Sequence, residues 1–520
     1  MHKMYVIYTC FMSIMHNYVI DLFSAWDYYR FTEFLRLYLR LRVTHKTQIN
    51  LGRVTMKTTN TKKYVLSIIC ILIGVGIALI KPPGSLTVES MRYLGIFMTA
   101  ILMLILQLYP APLVALFACV AFVSFHVCTF PEAFSAWSGD TMWTVILMMI
   151  FATGISKTGL IDRIAFNIIK FFPSSYTGMV VAIMATSTIL SPVVPNSYSK
   201  CAVLGPFASA VAKANNIEKE SKAAAGLFCA FYVPAAVHTM AFLTGSAMTF
   251  VLIGMMGKGY SFSWGQWFLC SSIWFIVNLI LTFVFILVYC KPKEKLNISK
   301  ELIHQRIAEL KPFGSDEKAA SIILAVSILL WITGSYIGIK PYTVAALAFA
   351  AMFLKGIFTM KDFQDMVPWG GLITLVASLL SISAVLNVVG INEWLASVAA
   401  PVIIRFIPNI YVFIIVLCIT AYLLRYLECT GLASLAIIAA IFLPIGASLG
   451  IHPFITLFAD DLAILVWNLS FHNPYYLQAE AVVDGLIVHK NVVSMSYAYM
   501  VIHIVGLLAS VPLWKYLGMC

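Results

Sequence analysis

The chain has 520 residues, 61% of them hydrophobic and only 11% charged, with a formal net charge of +12. A soluble protein carries about 25% charged residues, so a soluble globular fold is excluded, and a mean hydropathy of +0.92 points to a polytopic membrane protein. The excess of Lys and Arg sits mainly in short connections between apolar runs, where it sets orientation and gives no reason to expect nucleic acid as a partner. The eleven cysteines are scattered, without a C-x-x-C pair, so neither a disulfide framework nor a metal site is expected.

Residues 1–55 are aromatic and basic, with no apolar core of spanning length and no ordered zones of a secretory signal. Met56 then opens MKTTNTKKYVLSIICILIGVG, a basic start followed at once by a spanning pattern, so Met56 is expected to be the true first residue. The first spanning helix falls within 56–90, near 64–80, and further helices are predicted near 91–108, 112–128 and 141–156. The connection TFPEAFSAWSGD lacks Lys and Arg, whereas SKTGLIDRIAFNIIKFF carries Lys157, Arg163 and Lys170. The positive-inside rule therefore places the latter, with Lys62 and Lys63, on the cytoplasmic side.

Residues 189–207, LSPVVPNSYSKCAVLGPFA, form a polar knot broken by Pro192 and Pro195 inside this apolar chain. Lipid cannot satisfy broken backbone, so such a break survives only inside protein or against a watery cavity. Basic residues lie on both sides of 176–215, which makes the segment a re-entrant hairpin entering from the cytoplasm. A plain loop punctuated by Pro and Ser is the alternative. The following stretch, 226–256, is interrupted at Pro234 and again at Thr244-Gly245-Ser246-Ala247. Trp264 and Trp267 mark an interface, a helix runs on to about Cys290, and the loop 291–318 with Lys293, Lys295, Lys300, Arg306 and Lys311 is expected to be cytoplasmic.

The second half then repeats the first. Pro112 answers Pro341, Thr129 answers Thr359, Trp137 answers Trp369, TGLIDRIA (158–165) answers VGINEWLA (389–396), and LGPF (204–207) answers FLPI (442–445). A steady offset is the mark of an internal duplication of the transporter kind. With an odd number of spans between the halves the repeats are inverted, the first covering 91–290 and the second 319–520. The second hairpin, near 405–447, then enters from outside and carries LECTGLASLAIIAAIFLP at its tip. The fold expected is all-α, with about eleven transmembrane helices in two inverted repeats, each holding a re-entrant hairpin.

This order of elements resembles the divalent anion/sodium symporter family, and within it the bacterial citrate and tartrate antiporters and the plastid 2-oxoglutarate/malate translocators. The resemblance covers about residues 60–518 and rests on TGLIDRIA, ILSPVVP, FLTG, GINEWLA and FLPIGASLGIHP. It implies a carrier of di- or tricarboxylates, a homodimer in the cell (inner) membrane, and no cofactor. The family bears a Ser-Asn-Thr signature at each hairpin tip. Here the first tip reads Asn196, Ser197, Tyr198, Ser199 and Lys200, where the antiporter branch has Ser-Asn-Thr-Ala-Arg. The second reads Ser434, Leu435 and Ala436, lacking the final threonine, and the usual Asn-Pro-Leu after Gly245 is missing.

A carboxylate substrate needs hydrogen-bond donors, which half-helix ends, hydroxyls, amides and one ammonium supply. Asn196, Ser197, Tyr198, Ser199, Lys200, Thr244, Gly245, Ser246, Ser434, Leu435 and Ala436 are the expected substrate site. Lys200 stands out, because an intramembrane ammonium is costly and usually functional; its alternative is snorkelling at the cytoplasmic rim. Asp460 and Asp461 are candidate coupling residues for sodium or a proton, or else line a wet extracellular vestibule. His238 is read as a hydrogen-bonded packing residue, and Glu428 stands beside the second tip. A metal-dependent membrane enzyme using the two aspartates is the competing class, but it lacks a His/Cys cluster and has no use for inverted repeats.

Overall fold

The computed structural model describes residues 60–520, except 107, 174, 195, 258, 293–304, 311, 367–368, 392–393, 395–406, 428–430, 471–472 and 484. The leader, Glu428 and most of the basic loop lie outside the described residues. The rest is helical throughout. The first half comprises α1 (Asn60–Ala78), α2 (Val88–Ile105), α3 (Ala111–Ser124), α4 (Asp140–Lys157), α5 (Leu160–Ile169), α6 (Tyr176–Leu190), α7 (Ser197–Ala214), α8 (Lys222–Ala236), α9 (Ala247–Met256) and α10 (Trp264–Tyr289). The second comprises α11 (Ser315–Ile337), α12 (Pro341–Leu354), α13 (Thr374–Val388), α14 (Ile410–Leu427), α15 (Leu432–Ser448), α16 (Pro453–Ala463), α17 (Pro474–Ala481) and α18 (His489–Tyr516).

Among the described residues five helices are long and apolar enough to span a bilayer, or up to seven if the bent pairs count as single spans. The remaining apolar helices, including α6, α9, α14 and α15, are shorter. Several of them end where Pro, Gly or Ser interrupts the helical hydrogen-bond ladder. On α1 the side chains of Ile68, Leu72 and Val75 are exposed, as lipid-facing positions of a membrane helix are. Its inner face crosses α2 so closely that a Cβ on Gly74 would collide with the Gly95 carbonyl oxygen, and the reverse also holds. Such crossings need two glycines, since in lipid dispersion contacts replace the hydrophobic drive.

Local features recur between the halves. The Thr129 amide and hydroxyl both donate to Glu132 at the head of a one-turn helix, and those of Thr359 both donate to Asp362. Gly159 and Gly390 both adopt left-handed backbone, with φ of 81° and 67°, and Pro206 and Pro444 lie inside α7 and α15. Ion pairs tie the halves together. Lys157 meets Asp362 at 2.7 Å, Lys340 meets Asp140 at 2.9 Å, and Arg163 pairs with Glu317.

Candidate functional site

The proline-rich knot is a helix break between α6 and α7. Asn196 caps α7, its side-chain oxygen accepting the Tyr198 amide at 2.9 Å. A second break separates α8 from α9, with a short 3-10 turn at His238–Ala241 and Ser246 as the cap of α9. The two breaks meet. The Thr244 hydroxyl donates to the Pro192 carbonyl at 2.7 Å and accepts the Trp264 indole N–H at 3.1 Å. Carbonyls freed by the second break are taken by side chains. Trp267 donates to Met240, Ser271 to Ala241, Thr249 to Leu243, and Thr239 to Gly245. Irregular backbone at membrane depth thus keeps its hydrogen bonds, as it must where lipid offers none.

Lys200 lies in the first turn of α7 and is fully buried. Its ammonium donates to the Thr239 hydroxyl at 2.7 Å and lies 3.4 Å from the Ser191 hydroxyl. Thr239 passes its own proton to the Gly245 carbonyl at 2.6 Å, so both breaks converge on this one cation. Among the described residues no carboxylate pairs with it. The snorkelling alternative fails, since the ammonium points inward, away from any surface.

Not every expected residue joins it. Asn196 and Ser246 stand at adjoining helix starts and Ser197 is buried, but Tyr198 is exposed, and Ser199 instead accepts the Ser156 hydroxyl at 2.9 Å. Gly245 is there for space, because a Cβ would collide with the Thr239 carbonyl. At the second tip Ser434 is buried, while Leu435 and Ala436 line a narrow apolar cavity against Val251 and Met255 of α9 and Leu379 of α13. They offer an apolar wall in place of donors. That tip lies beside the end of α16, since a Cβ on Gly431 would lie 3.9 Å from both Ile464 and the guanidinium of Arg425.

Asp460 and Asp461 are fully buried in the last turns of α16, which rules out a wet vestibule for them. They do not pair with Lys200. His238 is buried as expected but is not hydrogen-bonded: both ring nitrogens lack partners, and the ring rests edge-on against Trp274 and Phe275. Two functional candidates were missed. Thr239 has no local signal beyond its place near a break, and Arg425 is an arginine closing the apolar run IIVLCITAYLLRYL, buried beside the second tip.

A breach in two helices around a buried cation is a carrier's geometry, and comparison with known proteins agrees. The family described as the sodium:sulfate symporter transmembrane region matches residues 61–520. The chain belongs to that family. Among members of known name, it is 26% identical to the chloroplastic dicarboxylate transporter 1 of Spinacia oleracea, over 74% of this chain and 69% of that protein. It is 25% identical to the L-tartrate/succinate antiporter of Escherichia coli, over 76% of this chain and 89% of that one. The inner membrane protein YbhI of Escherichia coli matches at 26% identity over 64% of this chain and 72% of its own length. In fold, the chain is similar to the YdaH transporter of Alcanivorax borkumensis, with a TM-score of 0.52 and 14% identity, over 74% of this chain and 87% of that one. The sodium:sulfate symporter family thus accounts for the chain as a polytopic membrane transporter.

Proposed function

We propose that this member of the sodium:sulfate symporter family exchanges di- or tricarboxylate anions by alternating access, with Lys200 as the fixed charge that the substrate must neutralise. The observation that carries the reading is the burial of an ammonium whose partners are two hydroxyls. An unpaired buried charge is unfavourable by several kcal/mol, so a site that keeps one has an anion as its natural complement. Two helix starts, at Asn196 and Ser246, add the positive ends of their dipoles. The names of the relatives support carboxylates of the malate, 2-oxoglutarate, succinate, citrate or tartrate kind. On this reading the protein is no enzyme and resides in the cell (inner) membrane as a homodimer. Counterflow in proteoliposomes with a panel of carboxylates tests it; no counterflow with any of them would sink it.

The tip residues are expected to matter next. Asn196→Ala and Ser434→Ala each remove a polar group at a helix break, and one hydrogen bond to a charged group is worth about 1.5–3 kcal/mol. Each variant is expected to bind substrate roughly tenfold more weakly or worse. Wild-type substrate affinity in both purified variants would take these residues out of the site.

We also propose that the halves are inverted, with the loop 291–318 cytoplasmic and Cys520 external. The ion pairs support this. Lys340, at the start of α12, pairs with Asp140 at the start of α4, and Lys157 at the end of α4 pairs with Asp362 beyond the end of α12. So α12 runs parallel to α4, and hence opposite to its own counterpart α3. The carboxy terminus is held at the Trp264 end of α10, because the Met519 carbonyl accepts the His452 amide at 2.8 Å and the His452 ring packs on Tyr260. The loop leaves the opposite end, after Tyr289. Labelling of single cysteines from each side is expected to reach the loop and Cys520 from opposite faces; reaching both from one face would refute the topology.

A further inference from the structure

Asp460 and Asp461 lie in the last turn of α16, which ends at Ala463, and the anion site around Lys200 does not use them. Both oxygens of Asp460 and one of Asp461 have no hydrogen-bond partner, and among the described residues no cationic side chain pairs with either. Consecutive residues on a helix point about 100° apart, so the pair cannot close on one ion. Cys418 of α14 and Tyr499 of α18 are buried on helices that pack against α16. One turn before Asp460 on the same face, the Thr456 hydroxyl is also buried and also without a partner.

Among the described residues no other group around these carboxyls neutralises them. The helices α9 and α15, both packed on α16, contain no titratable side chain. On α14, Tyr422 gives its proton to the Met500 carbonyl, and Arg425 lies further along, beside Gly431. On α18, Tyr499 donates to the Leu462 carbonyl at 2.8 Å. His503 is spoken for on both sides: its Nδ1 accepts the Trp274 indole N–H at 3.0 Å, so its Nε2 carries the proton and donates to the Ala459 carbonyl at 3.2 Å. It can neither take up a proton nor balance a carboxylate without losing the bond from Trp274.

We propose that Asp460 and Asp461 are a proton-binding site and that the carrier moves protons together with its anion. A carboxylate sealed from water with no cation beside it is far more stable as the neutral acid. In the closed arrangement each carboxyl holds a proton on its own oxygen, and it hands that proton to water when the break beyond Ala463 opens. A sodium ion is a poor fit, since it needs several oxygens converging on one point, and here neighbouring carboxyls diverge. The inference rests on the carrier reading and not on exchange in particular.

Proteoliposomes loaded with dicarboxylate and a trapped pH-sensitive dye, given a pH gradient and the same dicarboxylate outside, separate the outcomes. In the wild type the gradient is expected to collapse only when substrate is present. In Asp460→Asn and in Asp461→Asn, protons moved per anion exchanged are expected to fall to about half, and in the double variant at least tenfold. A gradient that survives in the wild type, or an unchanged ratio in both variants, would overturn the proposal; absence of tracer exchange in the wild type would instead overturn the carrier reading. Should the variants fail to fold, the wild type still decides. A hydrophobic carbodiimide, which attacks protonated carboxyls, is expected to modify Asp460 or Asp461 in acid and not in alkali, read by peptide mass spectrometry. No modification at either pH counts against a proton site.

Discussion

Replacing Lys200 by alanine is expected to abolish carboxylate exchange, with tracer counterflow falling roughly a hundredfold or more. Among the described residues the ammonium is the charge at the junction of the two breaks, and losing a charged partner inside a desolvated site costs about 2–5 kcal/mol, which is roughly one and a half to three and a half factors of ten. Folding is expected to survive, because the partners left behind are hydroxyls with other bonds to keep. Thr239 retains the Gly245 carbonyl, and Ser191 retains that of Ser187. The substitution Lys200→Arg keeps the charge but puts a planar fork where a compact ammonium fits, so partial exchange is expected. The mode of transport follows from the same charge. A carrier with a permanent buried cation crosses between states most readily when an anion covers it, so uptake is expected only into liposomes preloaded with dicarboxylate, and without regard to sodium. Sodium-driven uptake into empty liposomes, or wild-type exchange by Lys200→Ala, would overturn this account.

Gly245→Ala is expected to be nearly as damaging, although it changes no polar group. A Cβ there would collide with the Thr239 carbonyl oxygen and lie 2.8 Å from its hydroxyl and 3.1 Å from the Phe242 carbonyl. Two of these three neighbours are backbone, so relief comes only by moving the 3-10 turn at His238–Ala241. That shift pulls the Thr239 hydroxyl away from Lys200 and breaks its bond to the Gly245 carbonyl. Overpacking of this kind costs about 1–3 kcal/mol, small against the whole molecule but concentrated on the groups that position the cation. The expected result is a tenfold or larger loss of exchange with normal insertion and thermal stability. Unchanged counterflow by the purified variant would show that the turn adjusts without consequence.

Much of the scaffold could be read directly. Helices expected near 64–80, 91–108 and 141–156 occur at Asn60–Ala78, Val88–Ile105 and Asp140–Lys157, and the segment 176–215 holds two helices, Tyr176–Leu190 and Ser197–Ala214. These agree because bilayer thickness sets helix length and lipid forbids broken backbone, so composition alone marks the spans. The first break was legible because Pro192 and Pro195 interrupt a helix, whereas the run from Thr244 to Ser246 was a weak signal by itself.

What surrounds each break was not legible. That Lys200 is held by Thr239, thirty-nine positions away, depends on how α7 docks against the end of α8. That Ser199 turns to Ser156, and that Leu435 and Ala436 meet the apolar side of α9, depends in the same way on packing between distant segments. A local stretch states which groups a side chain carries but not which will be left to face it. By itself, then, the sequence determined a polytopic helical membrane carrier with polar breaks in its apolar runs and a lysine at the first of them. Only the tertiary structure decided that the ammonium is sealed against hydroxyls and that Asp460 and Asp461 are sealed with none. Burial is a property of what packs around a residue, and the energy of a charge in a membrane is set almost entirely by that.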